Sequence, residues 1–217
     1  VRPPGFFVSC RRRRWEAIAR ISRMIRNPIL VGGCGRSGTT LLLSILSAHP
    51  NIYAVPEESK AFCPGAYNHG EFPDTIEGVE TYDPADVDPA SATFQPNLVY
   101  SYLLDDLDSL GNVHRWCEKP PKNILFAEEI LEYFGSEARF LHIVRDGRNV
   151  VTSRHPGSPD SYYVPPERWV RDVSAARGME GHPQFYTVRY EDIIDEPKNT
   201  LSEVFSFLGE AFPKEAL

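Results

Sequence analysis

Short apolar runs alternate along this chain with stretches whose apolar residues recur every three or four positions. Runs of the first kind are typical of buried strands, and stretches of the second kind are typical of helices packed on one face. The pattern predicts strands at 28–31, 116–118, 140–144 and 185–190, and helices at 40–48, 94–110, 122–134, from 148 to 153 and at 198–208. Strands separated by helices predict an α/β protein with three layers around a central, mainly parallel sheet.

The first 26 residues differ from the rest in charge. They hold eight arginines and one acid, so they carry +7 while the whole chain carries −7. Trp15, Ile18, Ile21 and Ile25 recur close to helical spacing, which predicts an amphipathic helix over 15–26. We divide the chain into a basic N-terminal extension, 1–26, and one domain, 27–217. The arginine run 11–14 is interpreted as a solvated tail, so we expect no nucleic-acid partner.

Composition narrows the class of protein further. The chain has 217 residues, 41% of them hydrophobic, which suits one folded domain. No apolar stretch reaches the roughly 18 to 20 residues of a transmembrane helix, so no membrane span is expected. Four cysteines without CxxC pairing and six histidines without ligand spacing predict neither a zinc site nor a disulfide scaffold. A reducing compartment is therefore expected.

A glycine-rich turn follows the first predicted strand directly. Residues 33–40 read GCGRSGTT, which has the GxxxxG spacing of a phosphate-binding loop between a strand and a helix. Inward N–H groups and the positive end of the helix predict an anion site here. Thr39 occupies the position of the lysine that contacts a nucleoside triphosphate, which disfavours an ordinary kinase or NTPase. Arg36 supplies a guanidinium within the loop instead.

A second candidate phosphate site lies at the end of the strand predicted at 140–144. Arg145 stands at its carboxyl edge, where ligands of open α/β sheets collect, and Ser153 follows eight residues later. Arg145 is suited to a bidentate contact with phosphate, and Ser153 to one hydroxyl hydrogen bond. The alternative is that Arg145 forms only a local salt bridge with Asp146.

Three segments together resemble sulfotransferases that use 3′-phosphoadenosine 5′-phosphosulfate (PAPS). They are GCGRSGTTLL at 33–42, FLHIVRDGRNVVTSR at 140–154, and YEDIIDEP with FSFLG between 190 and 209. The resemblance spans most of the chain and is greatest to tyrosylprotein, Golgi-type and related bacterial enzymes. It implies a sulfotransferase fold similar to that of phosphate-loop NTPases, with PAPS as co-substrate, the desulfated product PAP and no metal.

The resemblance also implies a role for individual residues. Glu58, in PEES, matches a general base, and Lys119, in CEKPP, matches a lysine beside the leaving phosphosulfate oxygen; Lys122 is its rival. Arg145 and Ser153 match the 3′-phosphate contacts, and Tyr190 matches a tyrosine that borders the nucleotide. The residues implied for the 5′-phosphosulfate are Arg36, Ser37, Gly38, Thr39 and Thr40.

The implied reaction fits these residue types. A hydroxyl of the acceptor attacks sulfur, a carboxylate takes its proton, and a cation stabilises charge on the departing phosphate oxygen. The acceptor is expected to be a small molecule, a glycan or a peptide, and residues 55–93 are expected to form a long loop region at the rim. The resemblance implies a cytoplasmic protein if bacterial, or a Golgi lumenal one if eukaryotic.

The sequence departs from the family pattern in several places. The family disulfide that includes the counterpart of Cys117 has Val55 at its partner position, so we expect a free thiol, with Cys63 the nearest substitute. The family usually continues beyond the FLG segment, whereas this sequence stops at Leu217, and Gly157 replaces a basic residue for which Arg154 is the substitute. The 3′-phosphate site is therefore expected to be incomplete.

Two alternative functions remain open from the sequence. One is a phosphate-loop kinase or NTPase, and the other is a non-catalytic nucleotide-binding module. Trp169, Tyr162 and Tyr163 either line a substrate cleft or anchor loops, and the sequence favours anchoring. The identity of the acceptor and the oligomeric state are not encoded in any motif.

Overall fold

A five-stranded parallel sheet forms the centre of the protein. The computed structural model describes residues 16–59, 61–63, 94–106, 110–155 and 158–213. The strands lie in the order β2-β3-β1-β4-β7, and every neighbouring pair is parallel. Their bounds are β1 Ile29–Gly32, β2 Ile52–Ala54, β3 Arg115–Glu118, β4 Arg139–Val144 and β7 Phe185–Arg189; β5 Arg154–His155 and β6 Ser158–Tyr162 form a separate antiparallel pair.

Helices connect the strands and cover the sheet. The first helix described, α1, spans residues 16–24. The others are α2 Thr39–Ser47, α3 Asn97–Asp105, α4 Ala127–Phe134, α5 Gly147–Val151, α6 Pro166–Arg177, α7 Tyr190–Asp195 and α8 Pro197–Leu208, with 3₁₀ helices at Pro121–Phe126 and Gly135–Glu137. Each crossover returns the chain to the same edge of the sheet, as parallel pairing requires.

Two hydrophobic clusters lie on opposite faces of the sheet. All four residues of β1 are buried, with Leu30 in one cluster and Ile29 and Val31 in the other. The cluster that contains Leu30 includes residues of α1, α3, α4 and α6, whereas the other includes residues of α2 and α8. Helices on both faces explain why the strands are apolar runs rather than alternating ones. The three-layer α/β prediction is confirmed.

The predicted elements differ from the structure mainly at their ends. The helix predicted at 94–110 spans Asn97–Asp105, and the one predicted from 148 to 153 is the shorter Gly147–Val151. The helix predicted at 122–134 is two elements, a 3₁₀ helix followed by α4. Phe126, with φ −124° and ψ 21°, departs from helical geometry between them. The strand predicted at 185–190 ends at Arg189, and Tyr190 begins α7.

Several elements were not predicted from the pattern: β2, the β5–β6 pair, α6 and α7. β2 has only three residues, and α6 is polar over most of its length, with Asp172 and Ala176 its buried residues. Of the rim segment 55–93, residues 55–59 and 61–63 are described; the remainder of that predicted loop lies outside the described residues.

The helix α1 packs against the body of the protein. Ile18, Ile21 and Ile25 are buried, in agreement with the predicted apolar stripe, and Ile21 and Ile25 join the cluster that contains Leu30. Trp15 and the arginine run lie outside the described residues. Among the described helices, none is long and apolar enough to cross a membrane.

The amino ends of the strands carry a network of buried charges. Arg115, at the start of β3, donates to the carbonyls of Asn27 and Leu208, and its guanidinium lies 3.3 Å from Glu210 Oε1. Asn51 Nδ2 donates to the other oxygen of Glu210 at 3.1 Å. These contacts hold the segment after α8 against the sheet, and they keep the pKa of Glu210 below its usual range despite the opposing effect of burial.

We expect Glu210→Ala to lower the free energy of unfolding by about 2 to 4 kcal/mol, because Arg115 would stay buried without its carboxylate. Chemical denaturation measures this change. Glu180→Ala removes an exposed carboxylate and is the control, with an expected change within about 0.5 kcal/mol. Equal effects of the two substitutions would contradict a stabilising role for the network.

Candidate active site

The predicted site residues lie at one edge of the sheet. Lys119 follows the end of β3, Arg145 follows β4 and Tyr190 follows β7, while Glu58 lies four residues beyond β2. The glycine-rich turn follows β1, the central strand of the five. Because all five strands are parallel, their carboxyl ends converge here. The strand order places Glu58 and Lys119 on one side of the turn and Arg145 and Tyr190 on the other.

The turn has an unusual backbone in which three residues adopt positive φ values. Gly33 and Gly38 have φ values of 151° and 102°, and Arg36 adopts the left-handed region with φ 68°. A Cβ on Gly33 would overlap the carbonyl oxygen of Ile143 on β4. The first i→i−4 bond of α2 runs from Leu42 N to Gly38 O, so the preceding amides have no partner within the helix. Unpaired amides at the start of a helix after a glycine-rich turn are the groups that bind anions in phosphate loops, so we call this turn a candidate anion nest.

Two hydroxyl side chains of the turn are buried within it. Ser37 and Thr39 are 1% and 4% exposed, and Ser37 Oγ has no hydrogen-bond partner among the described residues. A buried hydroxyl without a partner is costly in a folded protein, and an oxyanion would satisfy it. Thr40 and Arg36 are exposed at the rim of the turn. The turn therefore has side-chain donors suited to an oxyanion.

Arg145 contacts the turn and the start of α7. One guanidinium nitrogen donates to the carbonyl of Arg36 at 3.1 Å, and the guanidinium carbon lies 4.3 Å from the centroid of the Tyr190 ring. A Cβ on Gly38 would approach that ring to 2.6 Å. Arg145 Nε is buried and has no hydrogen-bond partner among the described residues. This N–H group of the guanidinium is therefore a donor that a ligand could use. The Arg36 carbonyl, the Arg145 guanidinium and the Tyr190 ring therefore pack together, and Gly38 lies against that ring.

The alternative of a local salt bridge between Arg145 and Asp146 is wrong. The carboxylate of Asp146 accepts from the main chain and side chain of Arg148, which hold its pKa at about 2. Ser153 lies beyond α5, not within it as predicted, and its hydroxyl donates to the carbonyl of Asn149 at 2.8 Å. To donate to a phosphate, this hydroxyl would have to release the Asn149 carbonyl; Ser153 stays a candidate on that condition.

Aromatic side chains support the same side of the site. The Tyr163 ring packs against Gly35, between the guanidinium groups of Arg36 at 6.0 Å and Arg168 at 5.6 Å. Trp169 Nε1 donates to the carbonyl of Arg145 at 3.3 Å. Tyr162 instead contacts Arg154, whose guanidinium carbon lies 4.4 Å from the ring centroid. These contacts agree with the prediction that the aromatic residues anchor loops.

Glu58 and Lys119 meet on the other side of the turn. Lys119 Nζ donates to Glu58 Oε1 at 2.8 Å, with side chains 14% and 35% exposed respectively. Lys122 is buried in the 3₁₀ helix that follows. A carboxylate and an ammonium thus lie together beyond the carboxyl ends of β2 and β3, and β3 is the neighbour of β1 in the sheet. Their neighbour Glu57 is exposed and accepts from the Tyr102 hydroxyl at 3.2 Å.

A buried carboxyl beside this pair was not found from the sequence. Glu118, the last residue of β3, is fully buried; Ser59 Oγ donates to one of its oxygens and Asn123 Nδ2 to the other, at 3.3 Å. Burial raises the pKa of Glu118 to about 7, against the opposing effect of these hydrogen bonds. The sequence pattern did not indicate that Glu118 is buried, because a polar residue at the end of a strand is ordinarily exposed to solvent.

Three cysteines are described, Cys34, Cys63 and Cys117; all are buried, and none of them forms a disulfide within the described residues. Burial raises the pKa of the Cys34 and Cys117 thiols, so both stay protonated. Within the described ranges, the acidic, histidine and cysteine side chains form no group of three or more that could hold a metal ion.

A glycine-rich turn between a central parallel strand and a helix is the arrangement of phosphate-loop proteins. Residues 28–214 match the profile of the sulfotransferase family, which covers most of the chain. The chain therefore belongs to the sulfotransferase family. An uncharacterized protein from Aquifex aeolicus (strain VF5) is 27% identical over 198 residues, covering 84% of this chain and 25% of that protein. The chain thus spans about a quarter of the length of this curated relative.

Solved structures share the fold at low sequence identity. The sulfotransferase domain of the Synechococcus PCC 7002 olefin synthase is 22% identical with a TM-score of 0.60, over 89% of this chain and 77% of that one. The sulfotransferase from Alicyclobacillus acidocaldarius is 18% identical with a TM-score of 0.56, over 88% and 85%. Both similarities confirm the sulfotransferase fold.

We expect Gly38→Ala to destabilise the protein more than Gly181→Ala. Both glycines have left-handed φ values, 102° and 82°, which cost an alanine about 1 to 2 kcal/mol. Only at Gly38 would the new Cβ meet a ring, that of Tyr190, whereas nothing lies within 4 Å at Gly181. Gly38→Ala should lower the free energy of unfolding by about 1 to 3 kcal/mol more than Gly181→Ala does, as measured by urea denaturation. Equal losses would show that Tyr190 does not pack on the turn.

We expect Glu118→Gln to change how stability depends on pH. The native carboxyl keeps its proton up to a pKa of about 7, whereas its ordinary value is 4.5. The native state therefore binds more protons between these values, and its stability falls as the pH rises through them. Relative to Glu118→Gln, the wild type should lose roughly 3 kcal/mol of unfolding free energy over that range. Parallel pH profiles would contradict this.

Proposed function

We propose that this protein transfers a sulfuryl group from PAPS to a hydroxyl of an acceptor. The observation that carries the proposal is the anion nest with a carboxylate–ammonium pair on one side and a guanidinium on the other. PAPS has a phosphosulfate at one end and a 3′-phosphate at the other, so it needs two separate anion sites. In this proposal the two sites are the turn after β1 and Arg145 after the neighbouring strand β4.

In this proposal the glycine-rich turn binds the 5′-phosphosulfate. Its amides and the hydroxyls of Ser37 and Thr39 donate to the oxygens, and Arg36 and Thr40 contribute from the rim. Arg145, with Ser153, binds the 3′-phosphate, and Tyr190 borders the nucleotide while it packs on Arg145. The buried and unpartnered Ser37 Oγ and Arg145 Nε support these assignments.

The transfer step is an in-line displacement at sulfur. The acceptor oxygen forms a bond to sulfur as the bond between sulfur and the 5′-phosphate oxygen breaks, and PAP leaves with the electron pair. Glu58 takes the acceptor's proton, and Lys119 stabilises the charge on the leaving oxygen. Such a base typically contributes about 10² to 10⁴ in rate. The contact of 2.8 Å between Glu58 and Lys119 supports their action at one reacting centre.

A first test concerns the 3′-phosphate. Calorimetry of the wild type should show that PAP binds more tightly than adenosine 5′-phosphate, by roughly 10- to 100-fold for a charged hydrogen-bonded contact. Arg145→Ala should remove this difference and leave affinity for adenosine 5′-phosphate nearly unchanged. Arg148→Ala is the matched control, because Arg148 is exposed and pairs with Asp146. If Arg145→Ala weakened the binding of PAP and of adenosine 5′-phosphate equally, the assignment of Arg145 to the 3′-phosphate would be wrong.

A second test concerns turnover. With PAPS and a panel of phenols, sugars and tyrosyl peptides, Glu58→Gln should lower kcat for PAP release by about 10² to 10⁴, with PAP affinity retained. Glu57→Gln, the neighbouring exposed carboxylate, should keep wild-type turnover. Comparison of Lys119→Ala with Lys122→Ala identifies the lysine at the leaving oxygen, and we expect the larger loss of kcat in Lys119→Ala.

Other outcomes would favour the alternative functions. Tighter binding of ATP with Mg²⁺ than of PAP without metal would indicate a kinase or NTPase, which the threonine at position 39 disfavours. Binding of PAP without turnover of any acceptor would indicate a non-catalytic nucleotide-binding module.

A further inference from the structure

Two adjacent contacts join the segment after β2 to the end of β3. Lys119 Nζ donates to Glu58 Oε1, and Ser59 Oγ donates to Glu118 Oε2. Glu58 and Ser59 are adjacent in the sequence, and so are Glu118 and Lys119, so the two contacts lie side by side. The placement of Glu58 relative to Lys119 therefore depends on the Ser59–Glu118 hydrogen bond as well as on the ion pair itself.

The second contact is buried and continues into the protein. The Ser59 hydroxyl also accepts from the main-chain N–H of Ala61 at 3.1 Å. Asn123 Nδ2, which donates to Glu118 Oε1, lies 3.4 Å from the carbonyl oxygen of Val31 at the end of β1. A continuous set of polar contacts thus connects the Glu58 segment, the end of β3 and the strand that leads into the anion nest.

We propose that Glu118 is a positioning residue for the Glu58–Lys119 pair. Through Ser59 it holds the segment that carries Glu58 against the strand end that carries Lys119. Glu118 is 0% exposed and Ser59 is 8% exposed, so Glu118 acts through its neighbours rather than on the reacting atoms. This inference rests on the proposed function, because it assigns Glu118 to the placement of the proposed base.

The energetics of burial support a role beyond stability. A fully buried carboxyl is costly, as the raised pKa of Glu118 shows, and apolar residues often replace buried polar groups without loss of stability. What an apolar residue cannot supply is a directional bond to Ser59. A glutamine has the same shape and can accept from Asn123 while its amide donates to the Ser59 oxygen. Glutamine should therefore preserve positioning, whereas loss of the Ser59 hydroxyl should not.

The test compares Ser59→Ala, Glu118→Gln and Glu118→Ala for kcat, acceptor KM, PAP affinity and Tm. Ser59→Ala and Glu118→Ala should lower kcat by about 10- to 100-fold, the effect of misplacing a catalytic group, with PAP affinity within about 2-fold of wild type. Glu118→Gln should stay within about 3-fold of wild-type kcat, since it keeps the bonds. Ser202→Ala is the control, because that hydroxyl bonds the Lys198 carbonyl on α8.

A double substitution shows whether Ser59 acts through Glu58. In the Glu58→Gln background, Ser59→Ala should cause no further loss of kcat, because the group it positions is already gone. An additional full loss in that background would overturn the proposal. The proposal would also be overturned if Ser59→Ala lowered Tm but left kcat within about 2-fold of wild type. It would equally be overturned if Glu118→Gln folded but lost as much kcat as Ser59→Ala.

Failure of the proposed function would appear differently. If Glu58→Gln alone left turnover unchanged, the proposed base would be wrong irrespective of Ser59. If Glu58→Gln abolished turnover while Ser59→Ala and Glu118→Ala did not affect it, the proposed function would stand and the positioning role of Glu118 would fall. Ser59→Ala retains the buried carboxyl, so this comparison does not depend on whether Glu118→Ala folds.

Discussion

Parallel pairing of the five strands is the constraint on which the site depends. In a parallel sheet all carboxyl ends lie on one edge, so residues far apart in sequence converge without any direct signal between them. The strand order then fixes which group stands beside which. The glycine-rich turn after β1 lies at the centre, and the acidic and basic side chains that follow β2, β3 and β4 are distributed around it.

Much of this arrangement could be predicted from sequence because it depends on local spacing. The turn from Gly33 to Gly38 follows an apolar strand, and the arginine at 145 follows another, so both positions were predictable from pattern alone. The placement of Glu58 against Lys119 was not, because β2 has three residues and leaves little periodic signal. Only the family resemblance identified those two residues, and the structure brings them into contact.

The elements that the sequence did not predict share a physical cause, which is that tertiary contacts outweigh local pattern. Helix α6 is rich in charged residues, and one of its two buried residues, Asp172, is itself charged, so its apolar positions alone did not indicate a packed helix. Glu118 is polar at the end of an apolar strand, where solvent exposure is the ordinary outcome. Ser59 and Asn123, from separate segments, donate hydrogen bonds to this buried carboxyl.

The left-handed conformation of Arg36 has a consequence for protein engineering. Its backbone is strained relative to glycine, so replacement by glycine would be expected to make the fold more robust at that point. The same replacement would delete the guanidinium proposed to contact the phosphosulfate. Selection for thermal stability alone would therefore favour loss of this side chain, so at residue 36 stability and the proposed function have opposite requirements.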